Sequence, residues 1–547
     1  MVEDKWWKRA AKTHSAIPEL AEQLRKGEIG RRDFLRTATL LGLSATAAYA
    51  LAGKMTGAHF VPRAMAQAGK RGGNLRVSMF VKEITDPAIF DWSEKGNVAR
   101  QFVDPIVRIS PDNIATPHLA ESWQASEDLK TWTFKLRQDI KWSNGDDFGA
   151  DDIIFNFTRW IDPNTGSSNE NRFSALKEPP EKIDDHSVRF NLERPELAMP
   201  ESMGDYPALI VHRRFSDEGG DLSKNPVGTG AFELVEFNVG ERAVLRRRAD
   251  RHWSGEVYLD QITYIDLGGD ASAEINAFVS GQVDLSHLTS VEQVLAIRQI
   301  PGLVLHETAT AQTGVVRMRL TEEPWGNAKL RQAVLAAIDN QRILEIAYQG
   351  LGLPGEDHHV APVHPAYADL PDKKQDYDLA RRLLAEAGHA NGIEFDVQCV
   401  DSPEWEQNTT IAIAEMLRPA GITANVNVLP GKTYWDRWDK WPFSLTSWTH
   451  RALATQVLNL GYRKGGVWNE TAYANPEFDR LLDQAGGTVD VNERRKVMAK
   501  LEKLMQDDAI IIQPYWRSIF TTSTDKVRNY NVQPALEQHL NQVWLDA

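Results

Sequence analysis

Residues Pro117 to Trp160 constrain the fold of this 547-residue chain more than any other stretch. Thr131-Trp-Thr-Phe-Lys-Leu-Arg137 alternates apolar and polar side chains, the period of a strand with one buried face. Ser143-Asn-Gly-Asp146 is turn chemistry, with Gly145 able to take positive φ without steric cost. Asp151-Asp152 then stand ahead of an apolar run. Carboxylates are favoured there, where the first N–H groups of a helix have no intrahelical acceptor. About forty residues therefore predict strand, tight turn and helix in succession.

The same residues carry a resemblance. Pro117, Leu119, Ala120, Ser122 and Trp123 are followed by Phe134, Leu136 and Arg137, then Trp142 and Gly145, then Ala150 and Asp152. This order resembles the signature of family 5 of bacterial extracellular solute-binding proteins, the dipeptide, oligopeptide and nickel receptors of ABC importers. Further landmarks follow at Gly228-Thr-Gly230, Asp260 to Ile265, Phe278 to Asp284, Leu330 to Ala333 with Ala337 to Asp339, Trp468 to Glu470, and Tyr473 to Asp479. The similarity spans about residues 71–530. It implies an α/β, two-lobed periplasmic-binding-protein fold with a hinge and an extra subdomain in lobe I. On that pattern, 71–110 opens lobe I, 111–222 is the extra subdomain, 223–305 resumes lobe I, 306–515 is lobe II, and 516–547 is the C-terminal return to lobe I. It also implies capture without chemistry, no cofactor, and delivery of a peptide or small organic solute to an ABC permease in the inner membrane. A periplasmic enzyme is the competing class, and no nucleophile elbow or metal-binding helix motif supports it.

The start of the chain reads as an address. Arg31-Arg32-Asp-Phe-Leu-Arg36 is a twin-arginine pattern, Thr37 to Gly53 is modestly apolar, and Ala64-Met65-Ala66 is a small-x-small cleavage candidate. Together they predict residues 1–66 to be a Tat signal, read by the Tat export machinery. The apolar segment falls short of the ~20 residues of a membrane span. The residues ahead of Arg31 look amphipathic and make the leader long.

Charge and cysteine usage agree with an exported soluble receptor. The chain carries 62 basic and 76 acidic residues. Residues 67–547 keep 51 and 70 of these, a net charge of −19. Such a balance argues against nucleic acid or anionic lipid as partner. Cys399 is the one cysteine, which leaves no disulfide framework and no lipid-anchoring cysteine near the signal. The expectation is a monomer, freely diffusing in the periplasm. Roughly 480 residues after the signal exceed one ordinary domain.

Several local patterns point elsewhere only superficially. Gly431-Lys-Thr433 lacks the earlier glycine of a phosphate loop, because position 426 is valine. His358, His359 and His364 sit among Gly, Pro and Asp and read as a structural loop before a metal site. Arg246-Arg-Arg248 reads as a solvated strand face.

A cleft for an organic solute needs apolar area and a few fixed polar groups. Tyr434 to Arg451 is the richest candidate. Tyr434, Trp435 and Trp438 read as core, whereas Trp448, Thr449, His450 and Arg451 read as ligand-facing. In peptide-binding relatives a Trp here is followed by an acidic residue that pairs with the peptide α-ammonium. Here His450 and Arg451 stand in its place. A guanidinium attracts carboxylate or phosphate instead. The alternative is an internal salt bridge of Arg451. Tyr515 and Trp516, Trp405, and the loop Phe80 to Phe90 with Phe80 and Asp86 complete the candidate walls. Each of these is equally readable as core or surface.

Overall fold

The computed structural model describes residues 12–57, 69–371, 373–466 and 468–546. The small-residue site Ala64-Met65-Ala66 lies outside them. The chain divides into two compact units. The first comprises residues 1–307, 486–491 and 520–547, and the second comprises 308–485 and 492–519. Two crossings between the units fall inside long strands, Leu303–Met318 and Tyr515–Thr524.

The first unit is organised on the strand Asn74–Ser78, which runs parallel to both Gln261–Ile265 and Leu285–Ser286. Gln261–Ile265 continues antiparallel to Arg242–Arg247, and that strand to Phe232–Asn238. Leu75, Val77, Leu245, Ile262 and Tyr264 form the buried core with Phe102 and Val103. The three consecutive arginines each meet a carboxylate: Arg246 with Glu233, Arg247 with Asp260, and Arg248 with Asp250.

A second, four-stranded antiparallel sheet lies in the same unit, in the order Ala120–Ala125, Thr131–Leu136, Ser187–Asn191, Glu181–Asp184. Trp132, Phe134 and Leu136 point inward as their alternation predicts. The helix Ala150–Trp160 packs against this sheet. Phe157 meets Phe190 at 4.7 Å and Phe173 at 4.9 Å, both edge-on, the favoured geometry for aromatic quadrupoles. Gly145 has φ 91°. Asp152 is fully buried, and its carboxylate accepts from the Gly149 and Arg213 N–H groups and from the Trp142 indole. The signature Trp142 and Asp152 are thus joined, with Gly149, in one capping network. Burial raises the Asp152 pKa, and these donors oppose the rise.

Gly228 and Gly230 are required by close approach. A Cβ on Gly228 would lie 1.7 Å from the Phe102 carbonyl oxygen, and one on Gly230 2.6 Å from the Phe102 Cα. Backbone, unlike a flexible side chain, cannot step aside. Gly228→Ala is therefore expected to cost at least the ~1–3 kcal/mol of an overpacked core. A wild-type urea midpoint for this variant would contradict that packing.

The second unit pairs Ile393–Val400 with Ile422–Leu429 in parallel, and Leu303–Met318 with Phe443–Trp448 antiparallel. The helical pattern across Leu330 to Leu344 resolves into two helices, Ala328–Ala336 and Asn340–Tyr348. The break arises because Asp339 turns extended and caps the second helix, accepting from the Arg342 N–H at 3.0 Å.

The N-terminal segment, read in the sequence as an address, carries helical structure. Residues Ala16–Lys26, Arg31–Leu40 and Ala45–Thr56 form three mutually packed helices. The amphipathic pattern noted ahead of Arg31 buries Ile17, Leu20, Ala21 and Leu24. Among the described residues, no helix is long and apolar enough to cross a membrane.

Candidate solute-binding site

The aromatic and charged residues singled out between 405 and 516 gather on the two faces of the central strands of the second unit. Leu303–Met318 and Phe443–Trp448 pair with Thr313 opposite Trp448 and Gly314 opposite Ser447. Successive side chains alternate between faces. One face therefore carries Arg317, Thr446 and Trp448, and the other carries Gly314 and Ser447.

On the first face, Trp448 is fixed by an internal carboxylate. Its indole N–H donates to Glu470 Oε1 at 2.8 Å, while Glu470 Oε2 accepts from Arg317 Nε at 2.8 Å and from Thr446 Oγ1 at 2.7 Å. Arg317 and Glu470 are both fully buried. His359 lies edge-on to the Trp448 ring at 5.4 Å and hydrogen-bonds the Tyr462 hydroxyl through Nδ1. Trp516 is 2% exposed, packs with Ala311 and Ala361, and lies 5.8 Å from His359.

Beyond Trp448 the chain leaves the strand, and Thr449, His450 and Arg451 follow. The Ala311 N–H donates to His450 Nδ1 at 2.9 Å, which leaves the ring proton of the neutral form on Nε2. His364 is held in the same way. Its Nδ1 accepts from the Ala361 N–H, and its Nε2 donates to the Arg451 carbonyl at 3.0 Å. The Arg451 guanidinium donates to Thr449 Oγ1 and to the His450 carbonyl. Burial drives the His359 pKa well below its ordinary value, and the nearby His364, His358 and Arg451 push in the same direction. His359 is therefore neutral, while Arg451 brings a fixed charge. Among the described residues no cluster of His, Cys, Asp or Glu is arranged to hold a metal ion.

On the second face, a Cβ on Gly314 would come within 2.9 Å of the Trp405 ring. The Arg517 guanidinium lies 4.1 Å above that ring and 5.8 Å from the Tyr348 ring, a cation–π sandwich, and donates to Gln312 Oε1 at 2.7 Å. Tyr515 is fully buried against Tyr348, with its hydroxyl on Thr409 Oγ1. Glu406 is buried beside Arg517 and Ser447. Burial pushes its carboxyl up to about 8, against the pull of both neighbours. Below that pH it stays largely in the acid form and does not cancel the Arg517 charge.

Two further sequence candidates, Phe80 and Asp86, lie in the first unit, and Tyr434 lies in the second. Phe80 is exposed, with the Lys82 ammonium 5.9 Å from its ring and 4.0 Å above Trp92. Asp86 has a structural engagement: it caps the turn Pro87–Ile89 through the Ala88 N–H and pairs with Arg159. Tyr434 is fully buried and hydrogen-bonded to the Leu445 carbonyl. Sequence reasoning missed Arg517, Glu406, Gln312 and Glu470. Arg517 and Glu406 directly follow the aromatics Trp516 and Trp405 that were singled out. Their neighbours were legible as polar positions, but which face each occupies depends on strand and helix register.

Residues 115–465 match the model of the bacterial extracellular solute-binding proteins, family 5 (middle). The chain belongs to that family. Heme-binding protein A of Haemophilus influenzae is 28% identical over 455 residues, covering 76% of this chain and 82% of that protein. Among solved structures, the periplasmic binding protein DppA of Helicobacter pylori in complex with the peptide STSA superposes with a TM-score of 0.79. It has 21% identity and covers 87% of this chain and 99% of that one. The binding protein AgaA of A. tumefaciens R10 in complex with agropinic acid gives 0.76, with 23% identity and coverage of 87% and 99%. The fold is accordingly the two-lobed α/β fold of periplasmic binding proteins, and the chain is a solute-binding protein of an ABC importer.

Proposed function

We propose that this chain is the periplasmic receptor for a peptide-sized organic solute bearing an anionic group, which it passes to an ABC permease in the inner membrane. It acts as a monomer, performs no chemistry, and reaches the periplasm by the Tat route. The observation that carries the ligand class is the pair His450 and Arg451, which follow Thr449 beyond the strand Phe443–Trp448, where peptide-binding relatives place an acid. Arg517, with its charge left standing beside a largely protonated Glu406, supports the same sign of ligand. The agropinic acid complex of AgaA is an instance of an acidic ligand in this fold. An ordinary peptide with a free ammonium is the second reading, favoured by the peptide bound to DppA.

Charge-assisted hydrogen bonds contribute roughly 1.5–3 kcal/mol. Arg451→Ala is therefore expected to weaken binding of the native solute by about ten- to a hundredfold, and Arg451→Asp by more. The solute is obtained by mass spectrometry of what co-purifies with the protein, and affinities by titration calorimetry. Unchanged affinity of Arg451→Ala would remove the anion reading and return ordinary peptides to the lead.

A further inference from the structure

We infer that the N-terminal segment is a self-docking cap: residues 12–57 bind an acidic, tryptophan-bearing surface of the first unit and in doing so cover the helix that carries Arg31 and Arg32. Trp123 and Glu127 of the covered surface belong to the signature stretch Pro117 to Trp160, whereas the segment lies outside residues 115–465. The helix Arg31–Leu40 packs against the strand Ala115–Pro117 and the helix Met199–Ser202. Phe34 and Leu35, next to the arginine pair, are 0% and 2% exposed. The Trp123 indole donates to the Leu40 carbonyl at 2.9 Å, and the Trp123 carbonyl lies against Gly42, where a Cβ would approach within 2.3 Å. Gly42 also has φ 95°, a conformation that glycine adopts without penalty.

Charge matches across the contact. Arg36 is buried, donates from Nε to the Asp112 carbonyl at 3.1 Å, and faces the carboxylates of Glu201 and Asp112. Ser15 hydrogen-bonds Glu127, His14 lies 3.9 Å from the same carboxylate, and Gln23 hydrogen-bonds Asp490. Arg31 itself lies 5.3 Å from the Tyr49 ring, so one arginine of the pair is held within the cap while Arg32 is exposed. A machinery that reads an extended twin-arginine segment has to wait for this helix to detach. The docking equilibrium then sets how fast the folded precursor is exported, a consequence that rests on the Tat reading above.

The test uses the full-length chain. Trypsin cleavage after Arg31, Arg32 and Arg36 is timed in the wild type, in Gly42→Val, which places side-chain atoms against the Trp123 carbonyl, and in Trp123→Phe, which removes the indole donor and leaves a smaller aromatic ring. Cleavage is expected to be at least tenfold faster in Gly42→Val and several-fold faster in Trp123→Phe, with the tyrosine and tryptophan near-ultraviolet signal of the rest of the chain retained. Equal rates in all three proteins would overturn the docking. In cells, Gly42→Val should be exported faster than wild type. Unchanged export of Gly42→Val, where Arg31→Lys/Arg32→Lys is blocked, would overturn the masking. Normal export of the double lysine variant would instead overturn the Tat reading and leave the protease result standing.

Discussion

Arg317→Met is expected to destabilise the second unit by about 3–5 kcal/mol, the cost of stranding one member of a buried ion pair. Arg317 and Glu470 lie in an interior closed to bulk solvent, which cannot take over the carboxylate's charge. The remaining donors to Glu470, from Trp448 and Thr446, stay in place but do not neutralise it. The Arg317 guanidinium also donates to the carbonyls of Trp438 and Trp441, which ties the Trp-rich stretch to the strand, and these acceptors lose their partner too. Guanidinium chloride unfolding followed by tryptophan fluorescence measures the loss. Because a pair replaced by apolar groups of similar volume can be nearly neutral, Arg317→Met/Glu470→Leu should recover much of it. A loss under about 1 kcal/mol in the single variant would mean that Glu470 is not the stranded buried charge this network makes it.

Glu502→Gln is expected to flatten the pH dependence of stability between about pH 5 and 8. Burial pushes the Glu502 carboxyl up to about 9 from 4.5, with the neighbouring Glu356 adding to the rise and the Ala368 N–H opposing it. His358 lies 3.7 Å from this carboxyl and 3.0 Å from Glu356. The sign follows from proton counting. Above pH 4.5 the unfolded chain has released this proton while the folded chain keeps it. The stabilisation is therefore fully present below pH 4.5 and is lost as pH rises toward 9. One such group contributes a slope of up to about 1.4 kcal/mol per pH unit over that window. Glutamine keeps the shape and a donor but does not titrate. Denaturant midpoints for wild type and variant across pH 4 to 9 should diverge in slope above pH 5. Parallel curves would show that Glu502 is ionised in the folded chain.

How much of this protein was legible beforehand differs from segment to segment. The strand–turn–helix from Thr131 to Trp160 was readable because its determinants are local: a two-residue period, a glycine with positive φ, and carboxylates at a helix start. The family signature extended that reading to the whole architecture. The break at Asp339 was less visible, since both helices share one apolar period and a single capping aspartate divides them. The site was readable as a composition, aromatics followed by cations between 434 and 451, but not as an arrangement. Trp448 proved to be bound to Glu470, 22 residues on, and Arg517 came to lie on Trp405 across 112 positions. Asp86 pairs with Arg159, a partner equally out of sequence reach.

The N-terminal segment marks the same boundary from the other side. Its arginine pair, apolar stretch and amphipathic leader are properties of the residues themselves and were determined by sequence alone. That the segment docks was decided by tertiary structure. The Trp123 indole and carbonyl, the Asp112 carbonyl and the Glu201 carboxylate become one surface only after the first unit has folded. Local periodicity and turn chemistry act over a few residues and survive in the bare sequence. Which buried donor meets which acceptor is settled by the folding of distant segments, and that is where the partners of Trp448 and Arg517 and the packing of the N-terminal helices were determined.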